Sequence, residues 1–143
     1  MNMMKKTLTI LLFTLAFSIN GQTIFGKWYS TNDETGEIDS VVEMYEKDKK
    51  AYAKIIKIND PNRQKEVCDK CEGDNKNKPI LGLEILTGLK KDGDEWSGGK
   101  ILDPRNGNIY KCFIKLEEPN RLKIRGYIGF SLLGKTKYWN RAK

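Results

Sequence analysis

Residues 96–125 read WSGGKILDPRNGNIYKCFIKLEEPNRLKIR, and the fold class follows from this stretch. Its last residues alternate, with Leu122 and Ile124 on one side and Arg121, Lys123 and Arg125 on the other. A period of two with one apolar and one charged face is the mark of an antiparallel strand that is half buried. Asp103-Pro104-Arg105-Asn106-Gly107 is a hairpin signal, because Asn-Gly accepts the positive φ angles of a tight turn. Glu117-Glu118-Pro119-Asn120 turns the chain back once more. Residues 96–102, 108–116 and 121–125 are therefore successive strands of a meander. Gly98-Gly99 inside the first predicts a bulge or sharp bend of the kind a closing sheet requires.

The same pattern extends on both sides. Strands are expected at residues 24–31, 38–46, 51–58, 80–89 and 134–141, cut by Asn32-Asp33-Glu34-Thr35-Gly36, Lys47-Asp48-Lys49-Lys50 and Asp92-Gly93-Asp94. Residues 59–79 form a long polar loop with two prolines, Cys68 and Cys71, and loops of that length usually carry function or mobility. No long stretch has the period of a helix. The expected fold is all-β, a single antiparallel meander of about eight strands closing into a barrel just wide enough for side chains or one small ligand.

The N-terminal residues belong to a different kind of segment. Lys5-Lys6 precede an apolar and threonine-rich run over residues 7–17, followed by small residues. That is the order of a secretory signal peptide, and the run is shorter than the roughly 20 apolar residues of a permanent span. Residues 1–21 are read as a removed signal peptide and residues 22–143 as one barrel domain, exported to the periplasm or outside the cell. No transmembrane segment is expected in that domain. The chain carries a net charge of +7, which falls to +5 without Lys5 and Lys6. Its lysines are scattered singly and in pairs, the pattern of a solvated face, and export argues against nucleic acid as the partner.

Histidine is absent from all 143 residues. Nucleophiles activated by imidazole and the common imidazole-bound zinc sites are therefore impossible within this chain. The sequence predicts a protein that is not an enzyme, with no cofactor and no bound metal. Asp103, before a proline, reads as a turn residue, and Glu84, Asp92 and Asp94 offer no catalytic carboxylate pair.

Two likenesses add to this reading. Gly26-Lys27-Trp28 opens the first strand and Trp139-Asn140-Arg141 closes the last, which resembles the lipocalin-like, or calycin, superfamily. That likeness implies a structural pair, Trp28 plugging one barrel end with the Arg141 guanidinium stacked on its ring. Cys68-Asp69-Lys70-Cys71, Gly98-Gly99-Lys100-Ile101-Leu102-Asp103-Pro104, Arg125-Gly126-Tyr127-Ile128-Gly129-Phe130 and Leu133-Gly134, in that order, are similar to the secreted bacterial family known as domain of unknown function 2147. The resemblance implies a bacterial source and export, and it brings no catalytic residue with it.

Four groups of residues are candidates for function. Cys68 and Cys71 are spaced for a redox pair, but no strand–helix context surrounds them, and an oxidising compartment favours a disulfide that staples the loop. A zinc site with Cys112 would lack a clear fourth ligand. Cys112, in phase with Tyr110 and Ile114, is expected as a buried free thiol, the alternative being a bond to Cys68, Cys71 or another chain. Trp28, Tyr45, Trp96, Tyr110 and Tyr138, with Tyr52 and Phe113, are rings that either fill the core or line a pocket for an apolar ligand. Tyr127, Ile128, Phe130, Leu132 and Leu133 lie in an apolar, glycine-punctuated stretch where a hairpin loop is normally polar. Folded inward, which is the expectation adopted, they would cap the barrel; exposed, they would mark a partner, a lid or a membrane contact. The leading functional expectation is binding of a small apolar ligand or lipid. The alternatives are an envelope interaction protein with a solid core and a thiol-redox protein using Cys68 and Cys71.

Overall fold

The computed structural model describes residues 23–143, so the expected signal peptide lies outside the described residues. Eight strands follow in chain order: β1 (Gly26–Thr31), β2 (Ile38–Lys47), β3 (Lys50–Ile58), β4 (Glu84–Asp92), β5 (Glu95–Asp103), β6 (Asn108–Glu118), β7 (Arg121–Tyr127) and β8 (Gly134–Arg141). Each pairs antiparallel with the next, and β8 returns to β1 through Trp28↔Arg141 and Tyr29↔Asn140, which closes the barrel. Two short 3-10 turns, Pro61–Arg63 and Gly73–Asn75, punctuate the long β3–β4 loop.

The turns follow from local chemistry. Asp48 and Lys49 both hold positive φ and make the two-residue connection between β2 and β3. Asn32 accepts from the backbone N–H groups of Glu34 and Thr35 and folds the β1–β2 turn. In the β5–β6 turn, Asp103 Oδ1 accepts from the Arg105 N–H at 3.0 Å, the turn role expected of it. Gly107 closes that turn at φ 74°, and a Cβ there would collide with the Lys70 carbonyl. The asparagine–glycine signal thus marks a hairpin and also the place where the long loop lies down on it. Gly98 sits at φ 76° within a register shift between Trp96 and Gly99, while Gly99 passes too close to the backbone of Thr87 and Leu89 to carry a side chain. The expected bulge is there, and it turns the sheet at a barrel corner.

Residues 80–83 depart from the expected strand. Gly82 has φ 91°, and its N–H donates to the Ile55 carbonyl while the Leu83 carbonyl accepts from the Ile55 N–H, so the chain approaches β3 as a turn and enters β4 only at Glu84. β4 then runs on to Asp92, past Gly88 at φ 69°.

The core runs through the barrel. Val42 and Met44 from β2, Ala51, Ala53 and Ile55 from β3, Leu86 and Leu89 from β4, Ile114 from β6 and Leu122 and Ile124 from β7 are buried together. One end is shut. Trp28 is fully buried there, its indole N–H donating to the Ile24 carbonyl at 2.8 Å and the Arg141 guanidinium lying 4.3 Å from its ring centre. Phe25 and Trp96 meet edge to face beside it, 5.5 Å between ring centres. Among the described residues, no helix is long and apolar enough to cross a membrane.

Candidate functional site

The opposite end is open. Four connections surround it: the β1–β2 turn, the β3–β4 loop, the β5–β6 turn and the β7–β8 loop. Below them lies a cavity of about 740 Å³, within the usual range of roughly 300–1,000 Å³ for small-molecule sites. Its walls are apolar: Ile55, Ile58, Ile85, Ile101, Ile124 and Trp139. Ser40, the one buried polar residue among those described, also faces it. Ile80 of the long loop closes one side.

The mouth is charged and largely self-neutralised. Lys135 and Lys137, in phase with the buried Trp139, line the opening and bind Asp33 Oδ2 at 2.9 and 3.0 Å. Hydrogen bonding from Lys135, and then from Lys137, outweighs partial burial and holds the Asp33 carboxyl at a pKa of about 2. Arg105 reaches Asp103 at 3.1 Å, and Arg63 bridges Asp39 at 2.9 Å and Glu66 at 2.6 Å. Burial pushes the Asp103 carboxyl up, but Arg105 more than offsets it and the net shift is downward.

The expected aromatic residues divide by strand phase. Tyr110 faces inward, lines the cavity and accepts from the side-chain amides of Asn106 and Asn108 at 3.2 and 3.3 Å. Trp28 and Trp96 belong to the closed end and do not reach the cavity. Tyr45 stands on the outer wall, stacked on Tyr52 with ring centres 5.9 Å apart and donating to Glu84 at 2.5 Å. Burial and then the Glu84 carboxylate push its pKa up to about 12. Tyr138 is also outside, under the Arg121 guanidinium. Tyr45 and Tyr138 therefore pack the exterior, because Val42, Met44 and Trp139 occupy the inward phase of their strands. Phe113 packs outside as well, its ring 6.4 Å from that of Tyr127 at the edge of the mouth.

The apolar stretch is not an inward cap. Ile128, Phe130, Leu132 and Leu133 are 67, 75, 88 and 68% exposed. The backbone of the loop is fastened by Ile128 N–H to Leu133 carbonyl and by Leu133 N–H to Phe130 carbonyl, and Arg125 donates to the Ser131 carbonyl at 2.6 Å. These bonds fix the turn with its apolar side chains outward, while Ile128 and Leu133 still border the cavity.

Cys68 and Cys71 are joined by a disulfide and both are buried. Cys68 faces the Pro104 carbonyl, so the pair clips the long loop against the β5–β6 turn. The shared zinc site is ruled out by that bond, and no group of three metal-ligating side chains occurs among the described residues. Cys112 is free and buried between β5 and β7, and burial pushes its thiol pKa up to about 12.

The mouth ions went unrecognised in the sequence, although Lys135 and Lys137 share the phase of Trp139 and that alternation was available to read. Arg63 and Glu66 carried no such signal, because they belong to an irregular loop.

A closed antiparallel eight-stranded barrel with one end plugged by a tryptophan–arginine stack and the other open to an apolar cavity has the lipocalin-like fold. Residues 26–141 match the model of a family described as an uncharacterized protein conserved in bacteria, DUF2147, and the chain belongs to that family. Among solved structures, it is similar to protein HP1028 from Helicobacter pylori, described as belonging to the lipocalin family. The two superpose with a TM-score of 0.74 at 21% identity, over 85% of this chain and 84% of the other. No curated protein matches the sequence.

Proposed function

We propose that this protein is an exported, non-catalytic carrier that holds one small apolar molecule or lipid chain inside its barrel. The observation that carries the reading is the open cavity of about 740 Å³ with isoleucine and tryptophan walls. Such walls gain free energy by shedding water onto a ligand, at roughly 25 cal/mol per Å² of apolar surface covered. The ion pairs at the mouth already satisfy one another, so they do not draw a charged group into the interior. The lipocalin-family neighbour supports a binding role by fold, and the apolar run over residues 7–17 supports export. Absence of histidine and burial of the disulfide both weigh against hydrolytic or thiol-exchange chemistry. The solid-core alternative loses its premise, since the interior has room for a guest.

Native mass spectrometry of the protein taken from its own envelope tests the proposal, followed by the same measurement after denaturation. A native mass above that of the bare chain by a few hundred daltons (about the size of one lipid chain), lost on unfolding, is the expected result. A bare native mass, together with no saturable uptake of a fluorescent fatty-acid probe by the purified chain, would refute it.

A further inference from the structure

We propose that the β7–β8 loop docks the barrel mouth onto a bilayer that carries anionic phospholipid. Four large apolar side chains, Ile128, Phe130, Leu132 and Leu133, stand in solvent within one short loop. The loop is not loose chain. Its own backbone bonds and the Arg125 contact to Ser131 hold it in shape, so the apolar side chains are presented rather than tucked away. Ile109, also exposed, lies two residues beyond the Lys111↔Tyr127 pair on the adjoining strand and widens the apolar edge.

Charge identifies the partner. Lys100 of β5 and Lys111 of β6 face each other directly across the outer wall beside this edge, and both are exposed. Like charges opposed across a sheet are destabilising. The same juxtaposition is relieved where Lys115 and Lys123 are opposed, because Asp94 and Glu117 neutralise them. Lys50, at the barrel's other end, faces Lys47 and Lys90 with no carboxylate partner among the described residues, but no exposed apolar loop lies beside that cluster. Among the described residues, no carboxylate forms an ion pair with Lys100 or Lys111. An apolar loop flanked by unneutralised lysines fits a surface that offers acyl chains just beneath phosphate, where each nearby lysine adds about fivefold to affinity. Ile128 and Leu133 border the cavity as well, so in the docked state one apolar rim of the mouth lies against the bilayer.

The test is vesicle flotation with the chain from Gln22 onward, which carries all eight strands and the whole buried cluster. Vesicles are phosphatidylcholine alone or with about a third phosphatidylglycerol, and no cavity ligand is needed, so the outcome is independent of the proposed carrier role. The expected result is flotation with the anionic vesicles that weakens when salt is raised to about 0.5 M, where screening is strong. The Phe130→Ser, Leu132→Ser double variant should lose at least about tenfold in vesicle partitioning. Lys100→Gln with Lys111→Gln should lose about 25-fold on anionic vesicles, about fivefold for each lysine, and with it most of the preference over phosphatidylcholine. All these positions are exposed, and unchanged urea midpoints will show that the barrel is intact. Three results would overturn the proposal: no flotation of the parent chain; a concentration-dependent dimer abolished by the Phe130, Leu132 change, which would make a second copy the occupant; or loss of probe uptake with partitioning unaltered, which would make the loop a lid.

Discussion

Arg141 is half-buried and fastens the closed end of the barrel. Its guanidinium donates to the carbonyls of Pro119, Phe25 and Thr23 at 3.0, 3.1 and 2.7 Å and lies on the Trp28 ring. It thereby ties the β6–β7 turn, the entry to β1 and the last strand into one knot at the closed end. Replacing it with alanine removes three charge-assisted bonds and the stack, and should cost about 2–3 kcal/mol in urea unfolding. Arg141→Lys should recover little, because one ammonium cannot reproduce a planar fork aimed at three carbonyls. Asp33 acts at the other end. Its folded pKa, about 2, lies below the ordinary value of 3.8, so its contribution is complete above pH 4 and disappears as pH falls from about 4 to about 2. Partial exposure limits that contribution to about 1 kcal/mol. Asp33→Asn should lose this much at pH 7 and should flatten the acid limb of stability in that window, a comparison of urea midpoints from pH 2 to 7. At this scale the sequence was readable wherever strand phase was followed to its end. Glu43 shares the phase of Tyr45 and sits opposite Met44, which already places that ring outside. Counting rings without their phase put Tyr45 and Tyr138 among pocket candidates.

Among the elements, the strands and the presence of the long stapled loop were legible, and the docking of that loop was not. Alternation, turn residues and paired glycines carry enough information to locate eight strands, because each of those signals is local. Residues 80–83 defeated the same reasoning: an apolar run looks like a strand, and only tertiary contact with β3 shows that Gly82 turns it. The docking of the β3–β4 loop on the β5–β6 turn is equally non-local, and its one sequence trace is Gly107, whose missing side chain admits Lys70. The Cys68–Cys71 disulfide holds that docked loop. The ring it closes is short, so the loss from the Cys68→Ser, Cys71→Ser double variant should be modest, about 2 kcal/mol by chain entropy. Thermal melting measures this. Disulfide exchange with a small dithiol should stay at the background rate in the native parent chain, because both sulfurs are shielded. Fast exchange in the folded state would reopen the redox alternative.

For the whole molecule, the interior is left unfilled on one side only, the feature on which the proposed carrier role rests. The closed half is packed with Trp28, Met44, Leu86, Leu89 and Leu122, whereas the open half is walled by isoleucines and a glycine. That glycine, Gly126, sits in the inward phase of β7 after Leu122 and Ile124, where a further large side chain would complete the core. Its backbone is not in the left-handed region, and a Cβ there would meet Ile101 and Tyr110 only at 3.5 and 3.6 Å, which is ordinary contact. Neither conformation nor crowding therefore requires glycine at this position, and a glycine inside a strand carries an entropic penalty of roughly 0.5–1 kcal/mol relative to alanine. The consequence of its having no side chain is space. Gly126→Leu should project an isobutyl group into the cavity between Ile101 and Tyr110. Stability should hold or rise by up to about 1 kcal/mol as glycine's entropic penalty is relieved and apolar surface is covered. Uptake of the fluorescent fatty-acid probe should fall by about threefold or more, since the isobutyl group takes part of the volume that a chain would occupy. Opposite movement of stability and binding in a single variant is the signature of a site maintained against the packing tendency of the fold. A stabilised Gly126→Leu barrel that still binds the probe at parental affinity would show that the guest does not lie between Ile101 and Tyr110 and would count against the carrier reading.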